Sequence, residues 1–473
     1  MADSAQQIRE YDLIVVGSGS GNSLIDHHWK DKKVAIVDGG VFGGTCLNKG
    51  CIPTKMFAYP AATAIHGLDD DRLGVSMQRT EVRWQEIRDR IFGRIDSISQ
   101  SGLDYREDAE NVDVYTEFAT LRDPHTLVTE SGEVIRGRQL VLAAGSRSIL
   151  PNIPGIELPG VHTSDTVMRI NDLPRRVVIL GGGFVAAEFA GIFHGLGSHV
   201  TQVNRSERLL RDHDAEIADR FVREASRQWD LRLNTNITSI EQSRGGLEVT
   251  LESHGESETV QADVVLVATG RVSNVDRLDA KSAGFDVKDG VLSVDAYQRV
   301  LSGGEPVEGV WSLGDVSSVI QLKHLANAQE RTVQHNLLNP EDLRTTDQRH
   351  VPHAVFTNPQ IAAVGLSEAE ARDTARAEGF EITVKVQDFG DVAYGWAMED
   401  QHGLVKLIAR RDTGELLGAH IIGTEASMLI QPLIQAMSFG LAAHDMARGQ
   451  FWIHPALTEV VENALLGLEV PGN

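Results

Sequence analysis

Apolar positions along this chain fall into two regular patterns. The first is the short unbroken run: LIVV at 13–16, VAIV at 34–37 and VVIL at 177–180. Runs of this length, bounded by glycine or charge, predict strands buried on both faces of a parallel sheet. Two of them lead directly into glycine clusters, in "YDLIVVGSGSGNS" (11–23) and "RRVVILGGGFVAAEFA" (175–190). Each cluster reads as a turn opening a helix, and each unit continues into a second strand, "KKVAIVD" (32–38) and "SHVTQVNR" (198–205). Strand, glycine turn, helix and strand, met twice, predict an α/β fold with two doubly wound, Rossmann-like domains, one for each of two nucleotides. "GRQLVLAAGS" (137–146) and "ADVVLVATG" (262–270) are further strands ending in small residues.

The second pattern has helical spacing. In "EVRWQEIRDRIFGRIDSI" (81–98), Trp84, Ile87, Ile91, Ile95 and Ile98 recur so as to bury one face of a helix. Proline-rich "ILPNIPGIELPG" (149–160) reads as a linker. Beyond about residue 350 the texture changes to a strand-and-helix mixture without glycine fingerprints, which predicts a third, α+β domain.

Composition narrows the picture mainly by exclusion. A formal net charge of -23 argues against nucleic acid as a partner, because that role calls for clustered lysine and arginine. No apolar run is long enough to span a membrane. The N-terminal "MADSAQQIREYD" has no basic segment followed by an apolar one, so an export signal is not expected. Two cysteines in 473 residues then point to the reducing cytoplasm, where a disulfide is more often catalytic than structural.

The two glycine turns differ in chemistry. In the first, Gly17, Gly19 and Gly21 let a backbone approach a pyrophosphate at a helix N-terminus, and Asp38 ends the next strand, placed to accept from ribose hydroxyls. Its sixth position is Asn22 rather than glycine, a departure that predicts looser packing of helix on strand. The second, with Gly181, Gly183 and Ala186, fits G-x-G-x-x-A. Asn204 stands at its ribose position, followed by Arg205, Arg208 and Arg211. Without a carboxylate to repel a 2′-phosphate, and with arginines able to grip one, this site favours NADPH over NADH.

Both cysteines, Cys46 and Cys51, lie in "FGGTCLNKGCIPTKMF" (42–57). Buried thiols, half of a metal site and a redox pair are the three readings. Zinc would need two further ligands, and no compact cysteine-histidine cluster supplies them, so no metal is expected. On a regular helix, residues five apart rise about 7.5 Å, which is far for a bridge. Gly50 would permit the distorted turn that brings them together, and Pro53 would help end it. The redox reading fits best beside two nucleotide turns.

"GGTCLNKGCIPTK" resembles the active-site signature of the pyridine nucleotide-disulfide oxidoreductases. "VATGRVSN" (267–274), "VWSLGDVSS" (310–318), "FTNPQIAAVGLSE" (356–368) and "FWIHPALTEVVENAL" (451–465) resemble further segments of that family in the same order. The resemblance implies an FAD-binding domain in two parts (1–150 and 272–350), an NADPH-binding domain (151–271) and a dimerisation domain (351–473). It assigns Gly17, Gly19, Ser20, Gly21, Asp38, Gly44, Thr45, Gly145, Gly270, Gly314 and Asp315 to cofactor contacts in this sequence, and Lys55 with Glu188 to an ion pair beside the flavin. Gly181, Gly183, Ala186, Arg205 and Arg211 fall to NADPH. Cys51 is then the thiol against the flavin and Cys46 the one that attacks a substrate disulfide. His454, oriented by Glu459, is the implied acid-base, with Pro455 as a first helical residue. In the family this histidine acts across a homodimer interface. Within the family the cysteine segment is most similar to mycothione-reducing members, so mycothione is the favoured substrate. Glutathione disulfide, lipoamide and mercuric ion are alternatives, as is a non-catalytic nucleotide-binding protein. His27 and His28 have no comparable context and are read as surface residues.

Overall fold

A computed structural model describes residues 7–69 and 73–472; the N-terminal stretch 1–6 quoted above lies outside them. The chain forms two units. One gathers the described residues of Met1–Thr54, Gln85–Ile149 and Arg271–Gln348, the other those of Lys55–Trp84, Leu150–Gly270 and Arg349–Asn473.

The first unit is organised by a sheet in which Ile8–Val16 runs parallel between Val34–Val37 and Val134–Leu142. Val112–Tyr115 extends one side, and Glu305–Ser312 the other, both in parallel. The apolar runs divide by alternation between two cores. Ile14, Val16, Ala35, Val37, Leu140 and Leu142 fill one, while Leu13, Val15, Val34, Ile36 and Val141 fill the other. Burial of both faces explains why these strands read as continuous rather than alternating.

Two expectations change here. The segment after the first glycine turn is not an α-helix but a pair of 3₁₀ turns, Ser20–Leu24 and His27–Trp29. "GSGSGNS" is rich in glycine, serine and asparagine, which weaken an α-helix, and Asp26 caps the second turn by accepting from His28 N. The helix Trp84–Glu107 does bury Trp84, Ile91 and Ile95, but Ile98 is 52% exposed. In its second half the buried stripe turns to Phe92, Ile95 and Ser99, because that face packs on Phe42, whose carbonyl accepts from Ser99 Oγ at 2.5 Å.

The second unit holds an all-parallel sheet in the order Asp230–Arg232, His199–Val203, Arg176–Leu180, Val264–Val267, Val161–Thr163. A three-stranded antiparallel sheet (Asn236–Ser243, Gly246–Ser253, Glu256–Ala262) packs on it. After residue 350 come five antiparallel strands in the order His353–Val355, Gln360–Gly365, Leu416–Gly423, Leu404–Arg410, Ile382–Asp388, covered by helices that include Gln431–Phe439 and Glu459–Leu466. The protein is thus α/β with an α+β C-terminal part. No described helix is long and apolar enough to cross a membrane.

Asp214 ties this unit together. It is 2% exposed, caps the helix Ala215–Gln228 through Glu216 N, accepts from Glu368 N at 3.0 Å, and meets the buried ammonium of Lys406 at 2.9 Å. Burial alone would raise its pKa, but hydrogen bonds from Glu368 N and Lys406 outweigh that and hold it below the ordinary aspartate value. Stability from this group is therefore present above the unfolded-state pKa near 3.9 and is lost as pH falls through the lower folded value. Asp214→Ala is expected to cost about 3 kcal/mol at neutral pH, moderated because Glu368 and Glu216 still flank Lys406. Denaturant midpoints would check it, and a midpoint within error of wild type would refute it.

Candidate active site

In the first unit, Gly17 has φ +109°, and a Cβ there would lie 2.2 Å from Ala143 O. Only glycine fits, so the strand can turn sharply and leave the backbone bare. Gly21 takes the close approach expected of the sixth position, since a Cβ would lie 2.8 Å from Val15 Cγ1 and 2.9 Å from Ala143 Cβ. The tighter 3₁₀ winding moves that contact one residue earlier. Asn22 therefore does not loosen the packing. Its Oδ1 and carbonyl both accept from the buried Arg106, at 2.8 Å each. Asp38 Oδ2 accepts from Ser18 N at 2.7 Å and from Ser18 Oγ, and Oδ1 accepts from Gly40 N at 2.8 Å.

The cysteine segment lies against this turn. A Cβ on Gly44, whose φ is +71°, would come 2.7 Å from Gly19 Cα, so the two loops meet backbone to backbone. Buried Asn48 ties the loop down by donating to Phe42 O and Gly44 O at 2.8 and 3.1 Å. Thr45 and Cys46 sit in the short helix Gly44–Asn48, the chain breaks at Lys49 and Gly50, and a second helix runs Cys51–Asp69. A Cβ on Gly50 would lie 3.0 Å from Thr45 O, so this glycine lets the helices abut. Pro53 does not end the turn; it stands in the first turn of the second helix, where its missing N–H costs nothing.

The two free thiols are neighbours. That contact, then burial, then the charge of Cys51 push the Cys46 thiol far above its ordinary pKa, while Lys323 pulls the other way. When reduced, Cys46 is therefore the thiol that burial and its neighbour hold protonated.

The rest of this unit's polar frame comes from distant sequence. Gly145 (φ +67°) accepts from Asn274 N, and Gly314 (φ +73°) donates to Gln329 Oε1 at 2.8 Å. Asp315 Oδ2 accepts from Ser146 Oγ at 2.6 Å, and Ser146 is in turn bound by Arg271. Lys323 Nζ donates to Ser20 Oγ at 2.8 Å. Asn48, Arg106, Arg271 and Lys323 were not foreseen from sequence. Only Lys323 carried a signal: it opens the helix Lys323–Leu338, the end that ordinarily disfavours a cation.

In the second unit, Lys55 Nζ is 2.6 Å from both carboxylate oxygens of buried Glu188 and 4.3 Å from the Phe356 ring centroid. Phe356 N donates to the same carboxylate at 2.9 Å. Gly181 has φ +142°, and its Cβ would lie 2.2 Å from Ala268 O; Gly183 has open space, and Ala186 is buried in the helix Phe184–Leu196. Gly270 also takes a positive φ, +130°, beyond the neighbouring strand. Asn204 is turned to its own loop, donating to Ser206 O and Arg208 O at 3.1 and 3.0 Å. Arg208 is paired with Asp219 at 2.7 Å. Arg205 is exposed with no carboxylate partner among the described residues, and Arg211 has only a loose contact with Asp212 at 3.8 Å. These two are the available cations. Arg205→Ala is expected to raise the Michaelis constant for NADPH tenfold to a hundredfold, the worth of one charged hydrogen bond of about 1.5–3 kcal/mol, and to leave that for NADH unchanged. Equal losses for both nucleotides would refute it.

His454 Nδ1 lies 2.6 Å from Glu459 Oε1, with the imidazole 73% exposed and the carboxylate largely covered. The carboxylate fixes one ring nitrogen and leaves Nε2 outward. Pro455 is not a first helical residue: it belongs to a turn over 454–458, and the helix begins at Glu459. His27 and His28 are exposed, with Asp26 beside both imidazoles.

Residues 11–330 match the family model described as pyridine nucleotide-disulphide oxidoreductase, and 351–465 match the dimerisation domain of that family. The chain is 54% identical to mycothione reductase of Mycobacterium tuberculosis over 97% of its length and 99% of that protein's. It is 32% identical to glutathione reductase of Burkholderia cepacia, over 95% and 97%. Among solved structures, the HOCl-induced flavoprotein disulfide reductase RclA from Escherichia coli, as its Cu(II) complex, superposes with a TM-score of 0.83 at 26% identity, covering 97% of this chain and 99% of that one.

Proposed function

The chain belongs to the pyridine nucleotide-disulphide oxidoreductases, whose members use FAD and NADPH, and on that premise we propose that it reduces mycothione to two molecules of mycothiol. The observation that carries the reaction class is the Cys46–Cys51 pair, thiols in contact, on a loop seated against a dinucleotide turn. The 54% identity to a mycothione reductase supports the substrate.

The residues present fit both nucleotides. Gly17, Gly19, Gly21 and Gly44 leave bare backbone for a pyrophosphate, Asp38 and Asp315 offer carboxylates to sugar and ribityl hydroxyls, and Ser20, Thr45, Gly145 and Gly314 flank the same turns. Gly181, Gly183, Ala186, Gly270, Arg205 and Arg211 suit NADPH. The FAD-binding part spans 1–150 and 272–350, the NADPH-binding part 151–271, and the dimerisation part 351–473. FAD, when bound, relays two electrons from the nicotinamide to the disulfide. Lys55, neutralised by Glu188, is the cation assigned to the flavin's vicinity.

The thiol chemistry belongs to the chain. Reduction cleaves Cys46–Cys51 to one thiol and one thiolate, using the two electrons and one proton of a hydride. Cys46 gives its proton to His454 and attacks one sulfur of mycothione; the S–S bond breaks, and the leaving mycothiol thiolate takes that proton back from His454. The Cys51 thiolate then attacks Cys46 Sγ, re-forming the disulfide and expelling the second mycothiol as a thiolate, which takes a proton from solvent. Glu459 orients the imidazole through its 2.6 Å contact with Nδ1. His454 acts on the cysteines of a partner subunit in a homodimer, in keeping with its outward Nε2 and the dimerisation match. A reducing cytoplasm suits an enzyme that regenerates thiols.

A kinetic panel of mycothione, oxidised glutathione, lipoamide and mercuric ion tests the substrate. Mycothione is expected to give the highest kcat/KM with NADPH, and a higher value for glutathione disulfide would overturn the assignment.

A further inference from the structure

Two histidines that the reaction does not use stand side by side on the turn His27–Trp29. Their ring centroids are 3.9 Å apart, and both turn a ring nitrogen to one carboxylate. His28 Nδ1 is 3.0 Å from each oxygen of Asp26, and His27 Nδ1 is 3.7 Å from Oδ2. One ligand atom from each of the three residues lies within 4.8 Å of the others. Among the described residues no other three histidine, cysteine or acidic side chains are gathered so closely. An ordinary reading covers part of this: Asp26 caps the turn through His28 N at 2.9 Å and pairs with the His28 ring. It does not account for His27. That ring is 80% exposed and makes no hydrogen bond among the described residues, yet it is turned to Asp26.

The carboxylate is held from behind. Gln334, on the helix Lys323–Leu338, donates from Nε2 to Asp26 Oδ2 at 2.7 Å, and His28 N binds Oδ1. Ligating carboxylates ordinarily have such partners, which fix their direction and leave a lone pair for the metal. The same helix begins at Lys323, bound to Ser20 Oγ at 2.8 Å, so it grips the segment 20–28 at two points. Two imidazoles and a carboxylate suit the borderline divalent transition metals, at about 2.0–2.2 Å from each ligand. Ligand atoms of one such ion stand about 3–4 Å apart, a spacing that small rotations of two solvent-exposed imidazoles reach from here. The formal net charge of -23 draws cations to the surface.

We propose that Asp26, His27 and His28 bind one borderline divalent transition-metal ion, of the Zn(II) and Cu(II) kind, with water completing its shell and Gln334 orienting the carboxylate. The proposal does not depend on the substrate or on the thiol chemistry above. It revises the expectation that the chain takes no metal, which was drawn around the cysteines. The ion braces the turn that follows the first glycine cluster, so its consequence is stability of this unit and not catalysis.

The test uses the full-length, FAD-loaded enzyme, untagged, stripped with EDTA and oxidised, so that the paired sulfurs offer no thiolate. Calorimetric titration with Zn(II) is expected to show one ion per chain. His27→Gln and His28→Gln, both at exposed positions, should each weaken binding about a hundredfold. Asp26→Asn, which keeps the cap without the charge, and Gln334→Ala, which frees the carboxylate, should cost about tenfold each. Electron paramagnetic resonance of the Cu(II)-loaded protein should show two nitrogen ligands, and one in either histidine variant. Zn(II) should raise the thermal midpoint of the unaltered enzyme and not that of the histidine variants. Absence of binding, or binding unchanged in both histidine variants, overturns the proposal. A Zn(II) site lost instead in the double variant Cys46→Ser, Cys51→Ser would assign the ion to the sulfurs and equally overturn it.

Discussion

Exchanging either cysteine for serine is expected to lower disulfide turnover by a factor on the order of 10⁴ or more, because neither sulfur has a substitute within the unit. The informative part is how the two variants differ. Contact with Cys51, then burial, push the Cys46 thiol above its ordinary pKa, and on the family's pattern Cys51 is the sulfur that lies against the flavin. The FAD-loaded Cys46→Ser enzyme should thus keep a long-wavelength charge-transfer absorbance, and Cys51→Ser should lack it. The unaltered enzyme should show that absorbance on anaerobic titration with NADPH. A band that survives in Cys51→Ser would mean that the two sulfurs have been assigned the wrong way round.

His454→Ala is expected to be the next most damaging change, slowing the reaction with the substrate disulfide by about 10²–10⁴ while NADPH-driven reduction of the Cys46–Cys51 pair keeps its rate. Separate measurement of the two half-reactions by stopped flow would show this. The pH dependence has a definite sign. With the base gone, solvent must deprotonate Cys46, and the thiolate fraction of a thiol with a raised pKa grows with pH. The deficit of His454→Ala should therefore narrow as pH rises toward the thiol pKa. Glu459→Gln, which keeps the 2.6 Å contact but removes the charge, should lose less and leave the first half-reaction untouched. A deficit equal in both half-reactions would show that His454 supports structure and does not handle protons in the exchange.

Much of this site was legible because its chemistry is local in sequence. The runs LIVV and VVIL end at glycines that no other residue could replace, and Cys46, Gly50 and Cys51 lie within six positions, so the chain itself sets their geometry. What escaped was carried by side chains from far away. Arg106 secures Asn22 across 84 positions, and Lys323 reaches Ser20 across 303; neither leaves a periodic trace. The helix expected after the first glycine turn failed for a different reason. The apolar pattern fits helix or 3₁₀ turn equally well, and "GSGSGNS" together with the Asp26 cap decides between them. Ile98 shows that periodicity identifies a helix face but not how far along the helix that face stays covered.

Gly19 and Gly44 meet with no room for a single methyl group on Gly44, and the crowding atom is main chain, which cannot swing aside as a side chain would. The first glycine turn and the sulfur-bearing loop are in effect dovetailed, like a joint cut without tolerance. Saturation mutagenesis should find Gly44 intolerant of every replacement, with no compensating change elsewhere able to rescue it. On the proposed reading of this turn, whatever jostles a dinucleotide bound there would reach the sulfurs with almost no slack in between.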